Sequence, residues 1–349
     1  MPTKEQIIET LKTVKYPGYS RDIVAFGLVK EVTVDATAIH VRIGLTGGNA
    51  QVDAQLKAEV ETAVGKVAGA TPLHIDVALP THALGGAPIA QGPLAGQNRV
   101  PGIKRFVAVA SGKGGVGKST VAVNLACALQ HLGLRVGLLD CDIYGPSIPL
   151  MMGVTQRPTV SENEKLVPIT SHGVRLMSMG FLIGDSDPVI WRGPMIMKTI
   201  QQFIGEVEWG ELDYLLVDLP PGTGDAQLSL CQTVPLDGGV IVTTPQEASL
   251  GVVRKGIAMF EKVNVPILGI VENMSYFTTS NGERVEIFGH GGGRAEAARK
   301  KVDFLGEIPI FTAIRESGDK GIPIVVSAPE STAGQAFIGL GEALRKKLG

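Results

Sequence analysis

The chain has 349 residues, enough for two domains, and a net charge of -2 that carries no basic excess for holding nucleic acid. An apolar content of 44% with only 5% aromatics and 45 glycines suits an α/β protein with buried parallel strands. No uninterrupted apolar stretch reaches membrane-spanning length, the opening MPTKEQIIETLKTVK lacks the apolar run of a secretory signal, and three scattered cysteines with no C-x-x-C favour a reducing cytoplasm over a disulfide scaffold.

Residues 1–79 are expected to form a small α+β domain. Thr3, with Gln6 three residues on, is placed to cap a first helix whose apolar face is Ile7, Ile8, Leu11 and Val14, and Pro17-Gly18 stops it. Two β-rich runs at 24–34 and 38–45, a helix over 50–67 and a last strand over 73–79 follow. His40 and His74 alternate with apolar neighbours, which reads as solvent-facing strand histidines. From 80 to 104 the composition changes: nine of 25 residues are Pro or Gly and no periodicity survives, the mark of a linker. The rest, 105–349, alternates strands and helices in the manner of a doubly wound, mostly parallel sheet. Strands are expected at 105–110, 134–139, 174–179, 213–217, 239–244, 265–271 and 303–307. Helices are expected at 118–132, 194–205, 225–232, 248–263, 292–301, 312–318 and 331–347.

The chemistry gathers at the ends of those strands. Residues 111–120, SGKGGVGKST, follow an apolar run and open a helix, and Gly112 to Ser119 fit the phosphate-loop pattern G-x-x-x-x-G-K-[ST]. Gly112, Gly114, Gly115 and Gly117 let backbone N–H groups, including those of Lys113, Val116 and Thr120, converge on phosphate oxygens. Lys118 reaches the β/γ-phosphates and the Ser119 hydroxyl holds Mg²⁺. The second strand ends in Asp140-Cys141-Asp142, two carboxylates able to address the Mg²⁺ and water side of a nucleotide. A simple Asp/Gly/Pro turn is the competing reading there. Four apolar residues then lead to Asp218, a Walker B arrangement, and Gly222 after two prolines can offer its N–H to the γ-phosphate. Asn273 is a candidate adenine reader at the end of the strand 267–271, although residue chemistry alone favours a turn-forming asparagine.

Lys113 makes the loop unusual. K-G-G-x-G-K-[ST], here 113–119, resembles the deviant phosphate loop of the ATPases that include MinD, ParA, the nitrogenase iron protein and Mrp/ApbC. DCDIYGPS at 140–147, VIWRGPM at 189–195, DLPPGTGD at 218–225, VENMS at 271–275 and IFGHGGG at 287–293 narrow the resemblance to the Mrp/ApbC branch, iron-sulfur cluster carriers that bind and hydrolyse ATP. The stretch 1–79 resembles, more weakly, the small domain that precedes the ATPase in bacterial members, through Asp22-Ile23-Val24 and Gly27-Leu28-Val29. The resemblance implies a nucleotide-sandwich homodimer in which Lys113 reaches the partner's nucleotide. It also implies that Asp142 orients the attacking water, that Asp140 and Asp218 act on Mg²⁺ through water, that Asn273 reads adenine, and that the clients are apo iron-sulfur proteins or assembly factors.

One departure limits this. Cluster-binding members carry a C-x-x-C between the two segments flanking 277–282, where this chain reads FTTSNG. Cys127 and Cys231 fit core positions, Cys141 lies among the switch carboxylates, and one His290 per subunit supplies only two of four ligands, so the ligands of any [4Fe-4S] cluster are not identifiable. The expectation is a cytoplasmic, dimeric, Mg²⁺-dependent ATPase that delivers iron-sulfur clusters. The alternatives are a MinD/ParA-like dimeric switch without a cluster and a small-molecule phosphotransferase, for which no acceptor site is found. Phe337, Ile338, Leu340 and Leu344 are expected to dock the last helix on the sheet rather than on a membrane.

Overall fold

The computed structural model describes residues 2–14, 22–24, 28–34, 38–44, 50–68, 71–78, 99–143, 145–182 and 193–349. The chain divides into two compact units, 1–90 and 91–349. Pro17-Gly18, Gly27, Tyr144, most of the expected linker and the 189–192 part of VIWRGPM lie outside the described residues.

In the first unit α1 (Lys4–Leu11) is followed by β1 (Val29–Val34), β2 (Ile39–Gly44), α2 (Ala50–Ala68) and β3 (Leu73–Ala78). The Thr3 side chain accepts from the Gln6 N–H while Gln6 Oε1 accepts from the Thr3 N–H at 2.9 Å, so two of the orphan donors at the helix start are satisfied reciprocally. β2 pairs antiparallel with β1 and parallel with β3. Its alternation is strict: Ile39, Val41 and Ile43 are buried against Leu56, Val60 and Val64 of α2, whereas His40 and Arg42 face solvent. Full burial of one such aliphatic side chain stabilises the unit by about 1.5–3 kcal/mol. His40 and His74 stack across the β2–β3 register with ring centroids 5.0 Å apart.

The second unit is built on β4 (Ile103–Ser111), α3 (Lys118–His131) and β5 (Val136–Asp140), followed by α4 (Ile148–Met151), β6 (Thr159–Val160), β7 (Leu166–Val167), β8 (Ile169–Ser171) and β9 (Val174–Ser178). Then come α5 (Gly193–Gly205), β10 (Leu212–Asp218), α6 (Asp225–Thr233), β11 (Gly238–Thr243), α7 (Glu247–Lys262), β12 (Ile267–Thr278) and β13 (Arg284–Val285). The chain closes with α8 (Gly292–Lys300), β14 (Phe304–Ile310), α9 (Thr312–Asp319), α10 (Ile324–Ser327) and α11 (Thr332–Leu348).

The strands β14, β12, β11, β4, β10, β5 and β9 lie in that order, all parallel, with β8 and β13 added antiparallel at β9 and β12. The near-continuous apolar reading of β4, β5, β10 and β11 follows from burial on both faces. α3 is buried on almost every side because the sheet lies under it and α11 covers it, so its sequence, VAVNLACAL from 121, is apolar all round. α11 is capped by Ser331, whose Oγ accepts from the Gly334 N–H at 3.1 Å, and docks Phe337, Ile338, Leu340 and Leu344 into the core. Among the described residues no helix is long and apolar enough to cross a membrane.

Two sequence expectations are corrected. The strand predicted to stop at 271 runs to Thr278, so Asn273 lies inside β12 rather than at its end; Met274 takes φ 56° and the pairing with β14 shifts register there, which re-aims the strand without ending it. The expected linker's last residues, from Ile103, already belong to β4. The short α4, the β6–β7 hairpin and β8 carry too few residues for a periodic signal and were not anticipated.

Candidate functional site

Because β4, β5 and β10 are parallel and adjacent, their carboxyl ends deliver the loop 112–117, Asp140 and Asp218 to one edge of the sheet. The β5–β10 register sets Asp218 directly beside Asp140. α3 begins immediately after the loop, with Gly117 at its N-cap in the left-handed region, φ 78°, and no side-chain cap, so its first N–H groups face the loop interior. A methyl at Gly117 would fall 2.2 Å from Asn273 Nδ2, and one at Gly112 would fall 2.7 Å from the Val252 backbone, so neither position takes a side chain without displacement.

The charged groups form one connected set. Lys118 Nζ donates to Asp218 Oδ2 at 2.7 Å, and the Ser119 hydroxyl donates to the same oxygen at 2.7 Å. Lys118 is 6% exposed and Asp218 0%, so both charges sit out of water and depend on each other. Asp218 Oδ1 is buried with no hydrogen-bond partner among the described residues. On the neighbouring strand Asp140 accepts from Ser178 Oγ at 2.8 Å and from the Asp142 N–H at 3.0 Å. Burial, and then the Asp218 charge beside it, push the Asp140 carboxyl up to about 7. Burial also raises Asp218, against the pull of Lys118. A lysine, a hydroxyl and two packed carboxylates, one with an orphaned oxygen, suit a hard dication bound with phosphate.

The switch elements take definite places. Asp142 is buried just beyond Asp140. The Gly222 N–H donates to the Ser111 carbonyl at 2.9 Å with φ 108°, so the γ-phosphate role expected for it requires that bond to be exchanged. Gln227 stabilises this loop, accepting from the Gly224 N–H at 3.0 Å and donating to the Pro221 carbonyl at 2.8 Å. Lys113 reaches Gln246 Oε1 at 3.3 Å within its own chain. Sequence reasoning missed Ser178 and Gln246. Ser178 was findable as the polar residue ending the strand next to β5, while Gln246 lies 133 positions from its partner and gave no signal.

Beside the loop opens a largely apolar pocket of about 500 Å³, walled by Thr120, Met151, Asn273, Phe288, Pro309 and Phe311 among others. Asn273 Nδ2 donates to the Val116 carbonyl at 2.8 Å, tying the end of the phosphate loop to this wall. This largely apolar space beside Thr120 has volume enough for a purine base, and it is larger than the loop motif alone implied.

The three cysteines do not join the site as ligands. All are buried. Burial pushes the Cys127 and Cys231 thiols up to about 12, and Cys141 is raised by burial and by the neighbouring carboxylates. No thiolate is presented at the surface of this chain.

Comparisons with known proteins agree with this geometry. Residues 102–345 match the model of the NUBPL iron-transfer P-loop NTPase family, and residues 4–77 match the iron-sulfur cluster assembly protein model. The iron-sulfur cluster carrier protein of Synechocystis sp. is 41% identical over 354 aligned positions, covering 100% of this chain and 98% of the relative. A nucleotide-binding protein from Archaeoglobus fulgidus, solved in complex with ADP, superposes with a TM-score of 0.60 at 43% identity over 68% of this chain and 94% of that one. The cell division ATPase MinD of Pyrococcus furiosus gives a TM-score of 0.53 at 25% identity over 69% of this chain and 98% of that one.

Proposed function

The chain belongs to the NUBPL iron-transfer P-loop NTPase family, and from that premise we propose that it is an ATP-hydrolysing carrier that passes iron-sulfur clusters to apo-proteins or assembly factors in the cytoplasm. The observation that carries the ATP half is the buried pair Lys118 and Asp218, bonded to half-buried Ser119 at the mouth of the phosphate loop, beside a pocket of about 500 Å³.

In this reading the backbone of 112–117 and the first turn of α3 cradle the phosphates, and Asn273 with the apolar wall holds adenine. Lys118 gives up Asp218 for the β/γ-phosphates. Ser119, with Asp140 and Asp218 beside it, would hold Mg²⁺, which would supply charge neutralisation for the phosphoryl group. Asp142 orients the water, and Gly222 senses the γ-phosphate by exchanging its bond to Ser111. Two copies face each other across the nucleotide, and Lys113 leaves Gln246 to place its ammonium on the partner's phosphates. The 1–79 stretch, joined by a linker that ends before Ile103, serves as a separate assembly domain.

The cluster is cargo, and the cysteines of this chain do not suit it: all three are buried and protonated. That observation favours a second reading, an ATP-dependent dimeric switch of the MinD/ParA kind that acts on iron-sulfur proteins without holding a cluster. Purified protein is expected to hydrolyse ATP, and Lys118→Ala to abolish turnover; normal turnover in that variant refutes the ATPase assignment. Anaerobic reconstitution with iron and sulfide, followed by iron counting per dimer, separates carrier from switch. Stoichiometric cluster supports the carrier, and none supports the switch.

A further inference from the structure

We propose that Glu272, His290 and Glu307 bind a divalent first-row transition metal at a site separate from the phosphate-loop carboxylates. They come from three elements. Glu272 lies on β12, Glu307 is its register partner on β14, and His290 stands in the turn before α8. One ligand atom from each lies within 4.8 Å of the others, so small side-chain rotations bring all three onto one ion. One imidazole and two carboxylates are a donor set that suits Fe²⁺, Mn²⁺, Co²⁺ or Zn²⁺ rather than a thiophilic ion.

Each ligand is prepared differently. Glu272 is fully buried, and its two oxygens accept from the Gly291 and Gly293 N–H groups at 3.2 and 2.6 Å. These bonds fix the carboxylate as outer-shell partners fix metal ligands, and leave each oxygen a lone pair. His290 Nδ1 lies 2.8 Å from Arg284 Nη2. A guanidinium only donates, so that nitrogen presents a lone pair, which is the form of imidazole that binds metal. Glu307 is about a quarter exposed and stands 3.7 Å from the same guanidinium.

Arg284 is therefore the group a metal must displace. It sits on the two-residue strand β13, is 40% exposed, and packs 3.5 Å over the Tyr276 ring. Its position shows that these ligands already attract a cation, and its exposure lets it swing aside while the Tyr276 face retains it. The site uses no cysteine and stands whether or not the chain carries clusters.

The test is titration of the full, chelator-stripped chain with Co²⁺ in the absence of nucleotide, followed by its visible ligand-field absorption. A nitrogen-containing site is expected at one ion per chain. His290→Ala and Glu307→Gln should each weaken it roughly ten-fold or more. Arg284→Ala should bind at least as tightly as the wild type, because the competitor is gone. The variant His40→Ala/His74→Ala controls for the stacked histidine pair of the first unit and should bind normally. Unchanged Co²⁺ affinity in His290→Ala, or a loss that follows His40→Ala/His74→Ala instead, overturns the assignment. Both tested ligands are exposed or partly exposed, so the variants keep their fold, which far-ultraviolet circular dichroism checks.

Discussion

Replacing Lys118 by methionine keeps an unbranched apolar stem of the same length and removes the ammonium, which makes it a direct probe of how the site is held together. In the wild type Asp218 Oδ2 receives Lys118 and Ser119 at 2.7 Å each, Oδ1 receives nothing among the described residues, and Asp140 stands beside it in register. Without the lysine, buried Asp218 keeps only the Ser119 hydroxyl as a donor, beside an Asp140 that keeps Ser178 and the Asp142 N–H. Breaking a buried pair in this way costs about 3–5 kcal/mol if the survivor stays ionised. Protonating Asp218 limits the penalty, which then grows by ~1.4 kcal/mol for each pH unit above the ordinary carboxylate value of about 4 and levels off once the pH passes the raised folded pKa. The expected loss in nucleotide-free protein is up to about 3–5 kcal/mol at pH 8, shrinking as the pH falls toward about 4. Urea unfolding of the nucleotide-binding unit, followed by the fluorescence of the buried Trp209 in a Trp191→Phe background, reads it out. The further change Asp218→Asn should restore most of the lost stability while ATP turnover stays absent. A variant Lys118→Met as stable as the wild type at pH 8, or a double variant no better than the single one, would refute the interdependence argued here.

Asp140 carries a pH signature of its own: with its folded pKa raised to about 7, the folded state binds the extra proton, so nucleotide-free stability falls as pH rises from about 4 to 7, by up to ~4 kcal/mol, and Asp140→Asn flattens that slope in urea melts. Gly117→Ala should lower stability by about 1–3 kcal/mol and abolish ADP binding in calorimetry, because φ 78° and a methyl 2.2 Å from Asn273 Nδ2 are both unfavourable. All three thiols should resist a disulfide reagent in native protein and react once it is unfolded in guanidinium; one fast-reacting native thiol would contradict the burial of Cys127, Cys141 and Cys231.

What the sequence disclosed followed from local rules. The Thr3 cap, the alternation of β2, and the strand, glycine loop and helix around Lys118 each depend on residues within a few positions of one another, and local periodicity reports such features well. The site was legible as far as it was a motif: 112–119 and the strand-end aspartates came from spacing alone, and parallel pairing then set Asp140 beside Asp218. What escaped depends on long-range register. Gln246 meets Lys113 across 133 positions, Gly222 spends its N–H on Ser111, and Asn273 sits within a strand that continues through a left-handed Met274. Nothing in the residues near Met274 announces a bend, because the pairing of β12 with β14, and then with β13, holds the strand together.

That continuation of β12 changes how the two halves of the proposed function relate. Asn273, Phe288 and Pro309 wall the pocket, and Glu272, His290 and Glu307 stand one or two residues from them on the same three segments. Neither set can shift far without the other, since β12 and β14 are paired through Glu272–Glu307 and the turn at His290 is tied to Glu272 by the Gly291 and Gly293 N–H groups. A ligand that favours one arrangement of these segments at either place must bias the other by the same free energy. In this chain, where no cysteine reaches the surface, the groups tied to the pocket through β12 and β14 are carboxylate and imidazole, not thiolate. The stretch 277–282, FTTSNG, therefore matters less for the ligands it lacks than for the hairpin it builds, which carries Arg284 to His290 and Glu307.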